Sequence, residues 1–286
     1  MKPRVKSDYI GFAAFDGSGF NGWQSQTDRS GIQDHVEAAF RTFLRHDIRV
    51  IGASRTDAGV HAERQIVSFS SDYPFDRMRW LNSLRGLLDA RIALFDICMA
   101  PPGFHAIRES HSKKYLYRIW SSEAAHPFWC HISWPIFRCL DLDAMRVAAK
   151  FLVGTHDFSS FCAAGSNAVT KIRTVNSIEV IGFGPVIEIR VHGTGFLKQM
   201  VRNMVGTLVD VGSKRIVPAA VKGILNAKDR KAAGATAPSI GLTLQWVRLV
   251  GEMNRSEFKF DSKRPTAVGS GVLWHNKWSF AASPSQ

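Results

Sequence analysis

Acid is what this chain is short of. Its 24 Asp and Glu stand against 37 Lys and Arg, a net charge of +13. Such an excess suits a polyanionic partner, whose condensed counterions are released when its phosphates are neutralised. Cysteine is scarce too. The four present (Cys98, Cys130, Cys139 and Cys162) form no CxxC pair and no zinc-like spacing, which points to reduced thiols in a cytoplasmic protein. No stretch reaches the ~18 apolar residues that a membrane-crossing helix needs. Residues 1–8 are polar, with no apolar core of a secretory leader behind them. The ten histidines show no metal-ligand spacing, so no metal site is expected. The Gly-rich run over 16–24 is not followed by the Gly-Lys-Ser of a phosphate-binding loop, which argues against a nucleotide-binding enzyme. The hydrophobic content, 45%, is that of a globular protein with a buried core.

The order of elements repeats. Residues 9–15 read as a strand, and a loop over 16–29 follows. A helix is predicted from about 31 to 45, with Ser30 and Gln33 at capping-box spacing and Ile32, Val36, Ala39, Phe40 and Phe43 on one face. Strand-like segments at 48–52 and 65–70 come next, joined by a loop around Asp57, and then a helix near 75–84. The pattern restarts at 114–120, where Tyr115, Tyr117 and Ile119 share one face of a strand. A helix over 142–153 has Asp141 to cap its start and Gly154 its end. Residues 177–181 and 186–192 read as a hairpin. The strongest helix is expected from near Phe196, where Leu197, Met200, Val201, Met204, Val205, Leu208 and Val209 form an apolar stripe. Strand, helix and paired strands, twice over, predict an α+β fold. Two related units with antiparallel sheets join around a central cleft, and helices pack on the outer face. The units are expected at residues 1–108 and 109–250. Beyond Val250 the pattern weakens into a basic extension, 251–286, expected to dock on the body and to end in five disordered residues.

The most specific segment is Arg55-Thr56-Asp57-Ala58-Gly59-Val60-His61-Ala62. No helix or strand period runs through it, and Gly59 permits a tight turn that aims the carboxylate. A lone loop Asp is ordinarily a turn former, but the whole octapeptide resembles the active-site loop of the TruA-type tRNA pseudouridine synthases. Other segments resemble the same family in the same order. They are Asp16-Gly17-Ser18-Gly19-Phe20-Asn21-Gly22-Trp23-Gln24, Lys113-Lys114-Tyr115-Leu116-Tyr117, Gly154-Thr155-His156-Asp157-Phe158-Ser159-Ser160-Phe161, the run from Gly193 to Gly206 with Arg202, and Ala237-Pro238 with Gly241-Leu242.

The resemblance, which covers about residues 8–250, implies a cofactor-free isomerase. It would convert uridine to pseudouridine in the anticodon stem-loop of tRNA, at the family's positions 38, 39 and 40. Asp57 would be the nucleophile, with Tyr115 against the uracil and Arg202 paired with Asp57 across the cleft. A carboxylate in a partly dry pocket needs such a partner to stay ionised. Arg55 would help draw the nucleotide from its stack. Tyr115, Arg108 and Lys114 are further substrate contacts, and Lys113, Lys171, Arg173 and Lys198 are candidate phosphate contacts. His61 is expected to fix the loop, and a homodimer is implied. Two departures stand out. Ile107 falls where the family has an RNA-contacting Arg, displaced here to Arg108, and Leu87-Leu88-Asp89-Ala90-Arg91-Ile92 replaces a family segment. The first departure favours a rival reading, the same chemistry on another RNA or position. A non-catalytic RNA-binding protein on the same scaffold is the other rival, and the intact Asp57, Tyr115 and Arg202 set argues against it.

Overall fold

The computed structural model describes residues 6–250, so the expected extension 251–286 lies outside the described residues. The first half runs β1 (Ser7–Phe15), α1 (Ile32–Leu44), β2 (Ile51–Gly52), β3 (His61–Ser71), α2 (Arg77–Leu87) and β4 (Ile92–Met99). The second runs β5 (Ser110–Ser121), β6 (Trp134–Ile136), α3 (Leu142–Lys150), β7 (Gly154–Asp157), β8 (Ile172–Phe183), β9 (Val186–Gly193), α4 (Met200–Gly212), α5 (Ala220–Ala227) and β10 (Leu242–Leu249). Setting aside the short β6, β7 and α5, each half is a β-α-β-β-α-β unit. In each, the first strand lies between the third and the fourth: β4-β1-β3 with β2 on β3, and β10-β5-β9-β8. The repeat is therefore longer than the periodicity indicates, because each half adds a second helix and a fourth strand. Among the described residues no helix is long and apolar enough to cross a membrane.

Aromatic packing fixes the helical face of the first half. Tyr9 on β1 and Phe69 on β3 stack at 5.5 Å between ring centroids, and Trp80 of α2 lies 5.1 Å from Tyr9. Phe40 of α1 reaches Phe69 at 4.6 Å, so both helices bury their rings on one side of the sheet. In the second half α4 is the buried helix. Met200, Met204, Val205 and Leu208 are fully enclosed, and so are the polar Asn203 and Thr207. A helix buried nearly all round belongs to the interior, and Arg202 and Asp210 are its only partly exposed positions.

The two halves meet through β10. This strand runs antiparallel to β5 and parallel to β3, pairing Thr243 with His61 and Leu244 with Ala62. Within each unit the main ladders are antiparallel, as expected, and the join between the units is parallel. The direction of β10 is set by its own unit, and that leaves it parallel to β3. The short β5–β6 pairing is parallel as well. On the same edge of β3, β2 pairs further along, at Val67 and Ser68. The edge thus forks, and the loop carrying Asp57 leaves from the fork.

Local differences have local causes. The start of α1 is capped by Asp34, whose carboxylate accepts from Gly31 N at 3.1 Å, and not by a Ser30–Gln33 box. The side chain of Gln33 is instead turned back onto Gln24 and Ser25. α3 keeps its Asp141 cap (2.9 Å from Ala144 N) but ends at Lys150, and Gly154, at φ +117, opens β7. α4 begins at Met200 and not near Phe196, because Gln199 is left-handed at φ 57. The β2 ladder covers only Ile51–Gly52 of the expected 48–52.

Gly206 has no room for a side chain, since a Cβ there would lie 1.7 Å from the carbonyl oxygen of Ala235. Gly206→Ala is expected to cost about 3 kcal/mol through overpacking against backbone. In a thermal melt that is a drop of roughly 6–12 °C for a body of this size. An unchanged midpoint would mean that the 234–237 segment is not held against α4.

Candidate active site

The Asp57 loop is built by its neighbours on the chain. Ala53 N makes a last ladder bond to Ile66 O at 2.8 Å. Gln65, fully buried, then grips Ser54 with both ends of its amide: Oε1 accepts from Ser54 N at 3.1 Å and Nε2 donates to Ser54 O at 2.6 Å. From Asp57 to Val60 the chain makes a tight turn, with Val60 N donating to Asp57 O at 3.1 Å and Gly59 at φ +75. A positive φ at the third position of such a turn is the reason for glycine. The Gly-rich run over 16–24 lies directly beneath. Phe20 O accepts from Gly59 N at 3.2 Å, and Trp23 N donates to Thr56 O at 3.1 Å. A Cβ on Gly17 would sit 2.1 Å from Val60 O, and one on Gly22 2.5 Å from Thr56 O, so here glycine lets one backbone rest on another. His61 completes the base. Its Nε2 faces Ile240 O at 3.0 Å, and its Nδ1 lies 3.2 Å from Gly17 N and 3.0 Å from Asp16 Oδ1.

The other wall comes from β5, α4 and the segment 237–240. Strand alternation turns Lys113, Tyr115 and Tyr117 to one face of β5. The Tyr115 hydroxyl meets Ser54 Oγ at 2.8 Å, and its ring stands edge-on to Phe196 at 5.4 Å. Tyr117 donates to Pro238 O at 2.8 Å. Arg202 is clasped by Ala237: its Nε donates to Ala237 O at 2.8 Å, and its own carbonyl accepts from Ala237 N at 3.2 Å. That leaves Nη1 aimed at Asp57 Oδ2, 3.2 Å away. The pair is partly sheltered, with Arg202 13% and Asp57 25% exposed, so one carboxylate edge remains open to a ligand.

Asp57, Arg202 and Tyr115 are therefore brought together from three elements. Arg55, two residues before Asp57, is exposed at the rim. Lys114 alternates to the opposite face of β5, in register with His192, and does not line the pocket. Arg108 lies in a turn in which Glu109 N donates to His105 O at 3.0 Å. Its guanidinium reaches Gly103 O at 3.5 Å. Lys171, Arg173 and Lys198 gather around the 162–171 loop, near the start of α4. Among the described residues they bond neutral partners: the thiol of Cys162, the carbonyls of Thr170 and Ile172 with the Thr170 hydroxyl, and Ala164 O respectively.

Several supporting residues escape sequence reasoning. Asn203, inside the apolar stripe of α4, accepts from Thr236 Oγ1 at 2.7 Å and Arg230 Nη2 at 3.0 Å and donates to Phe161 O at 2.8 Å. This network holds the chain that leads to Ala237. A polar side chain at an interior position is the signal that could have marked it, and Gln65 on β3 is another. A cavity of about 440 Å³ lies farther along α4, lined by Trp134, Phe137, Val209, Asp210 and Arg215. It lacks the Asp57 set. Among the described residues no cluster of His, Cys, Asp and Glu could hold a metal ion.

A family model described as tRNA pseudouridine synthase matches residues 148–248, the stretch with Arg202 and Ala237. The tRNA pseudouridine synthase A of Moorella thermoacetica is 42% identical over 236 residues, 82% of this chain and 96% of the relative. That of Brevibacillus brevis is 40% identical over 237 residues, 81% and 95% of the two chains. That of Bacillus subtilis is 39% identical over 233 residues, 81% and 94%. The chain belongs to the tRNA pseudouridine synthase A family.

In this family member the phenols stay neutral. Burial pushes Tyr115 up to about 12, with the Ser54 hydrogen bond pulling the other way and the charge of Asp57 adding to the rise. Burial also raises Tyr117, against the opposing charge of Arg202. A synthase of this shape thus offers a carboxylate, a guanidinium and a protonated phenol around one opening. Tyrosinate absorbance, wild type minus Tyr115→Phe, is expected to titrate with a midpoint of about 12. A midpoint at the ordinary 10.0 would show the phenol to be open to water.

Proposed function

We propose that this protein isomerises uridine to pseudouridine in the anticodon stem-loop of tRNA, at positions 38, 39 and 40, with Asp57 as the nucleophile. The observation that carries this reading is the Asp57 carboxylate, held at 3.2 Å by Arg202 with one edge still exposed. The reaction breaks the bond from ribose C1′ to uracil N1 and forms one from C1′ to C5. The C5 proton leaves and N1 gains one, so no cofactor or energy source is consumed. A carboxylate that adds to ribose C1′ or to uracil C6 carries one fragment covalently while the other turns. Arg202 holds the Asp57 carboxylate and aims it. Tyr115 gives the base a flat apolar wall with a hydroxyl anchored on Ser54, and closure over the extruded nucleotide excludes the water that would release free uracil.

Arg55, exposed two residues before Asp57, would fill the gap left by the extruded nucleotide and lower the unstacking cost of a few kcal/mol. Lys171, Arg173 and Lys198, free of carboxylate partners among the described residues, form a positive lip beside α4 suited to phosphates. Arg108 and Lys114 would meet the RNA outside the pocket. The reading includes a cytoplasmic homodimer, with one tRNA touching both subunits, and two related halves at residues 1–108 and 109–250.

Pseudouridine mapping on unmodified tRNA tests it. Wild type is expected to modify positions 38–40. Asp57→Ala should lose at least about a thousandfold in rate, as expected for a nucleophile, while still binding tRNA. Residual activity near wild type in Asp57→Ala would remove Asp57 from the chemistry, and modification elsewhere would favour the rival substrate.

A further inference from the structure

Lys113 does not behave as a surface phosphate contact. Its Nζ is turned inward and donates to the carbonyl oxygen of Ala53 at 2.8 Å. One pleat further along the same face of β5, Tyr115 meets Ser54 Oγ, also at 2.8 Å. Two side chains of one strand therefore grip two consecutive residues of the chain entering the Asp57 loop. A single bond would leave that chain free to swivel about it, and a second bond removes the swivel. On the far side, Ala53 N is held by Ile66 O and Ser54 by Gln65, so the grip connects β3 of one half to β5 of the other.

Stability alone does not account for an ammonium here. Burial holds Lys113 down to about 8, so its charge is disfavoured by its surroundings. Among the described residues no carboxylate lies in ion-pair range of it, and the carbonyl of Ala53 is its hydrogen-bond partner. Lys113 thus carries a desolvation cost that an apolar side chain of similar length would not.

We propose that Lys113 is a positioning residue for the isomerisation, a tie that sets the distance and orientation between the Asp57 loop and the strand bearing Tyr115. This rests on the reading of Asp57 as the reacting carboxylate. Lys113 touches neither substrate nor reacting atoms in this role, and it acts through Ala53 and Ser54.

The test compares wild type, Lys113→Met, Lys113→Arg and Asp57→Ala in steady-state assays on unmodified tRNA, with a thermal melt of each. Lys113→Met keeps the stem and removes the tie, so its midpoint should equal or exceed that of wild type. Its kcat should fall about 100-fold, the effect of a misplacement on the order of 1 Å, with KM for tRNA within about twofold. Lys113→Arg restores a donor and should recover most of that loss. A raised KM at unchanged kcat, with the salt slope of binding lowered by about one, would make Lys113 a phosphate contact and overturn the proposal. So would wild-type kcat in Lys113→Met, or a midpoint that falls along with kcat and KM. If Asp57→Ala stays active, or wild type makes no pseudouridine in tRNA, the reading of the site fails first and takes this role with it.

Discussion

The free edge of β3 is the constraint on which the site depends. A strand edge presents backbone donors and acceptors that must be paired or wetted. Here one edge is shared by two strands: β2 takes Val67 and Ser68, and β10 takes His61 and Ala62. Between them the chain of Ala53 and Ser54 supplies the partners, through Ile66 O and the Gln65 amide. The Asp57 loop is thus the piece of chain that fills a gap in a sheet. Its position follows from sheet geometry, and the carboxylate is aimed by a turn anchored at both ends.

The segment 237–240 closes the structure from the other side. Four consecutive residues meet four different parts of the site: Ala237 clasps Arg202, Pro238 accepts from Tyr117, Ser239 lies over Gly59, and Ile240 accepts from His61. The approach is close enough to need glycine at 59, where a Cβ would lie 2.6 Å from Ser239 Oγ, and just upstream Ala235 O leaves only 1.7 Å for a Cβ at Gly206. The Asp57–Arg202 pair is therefore the outcome of two backbones fixed independently and then pressed together. Such preorganisation needs no rearrangement of charges when a substrate arrives.

Much of this is legible in the sequence, for identifiable reasons. The spacing of Tyr115, Tyr117 and Ile119 on one face marks β5, and the stripe from Met200 to Val209 marks α4. The site set of Asp57, Tyr115 and Arg202 comes from motif resemblance; no single residue would carry it. What stays hidden is irregular. β10 joins the halves, yet a bulge between Leu244 and Trp246 breaks its period of two. β4 is obscured in the same way by an irregularity opposite Phe12 and Ala13. The clamps of Gln65 and Asn203 are long-range side-chain bonds, which no local pattern encodes. Lys113 looks like any surface lysine until the partner of its ammonium is known.

The position of β10 carries a consequence for the order of synthesis. Among the described strands it is the last to leave the ribosome, yet it sits at the middle of the sheet, between β3 and β5. A nascent chain holds Asp57 and an open β3 edge long before Ala237 and β10 emerge. During that interval the first half exposes an unpaired edge to other chains, a hazard for aggregation. Its pairing with β3 spans most of the body, a contact of high sequence separation that folds late. Half-made protein therefore holds the carboxylate without its guanidinium. The two halves become competent together, when the final strand enters.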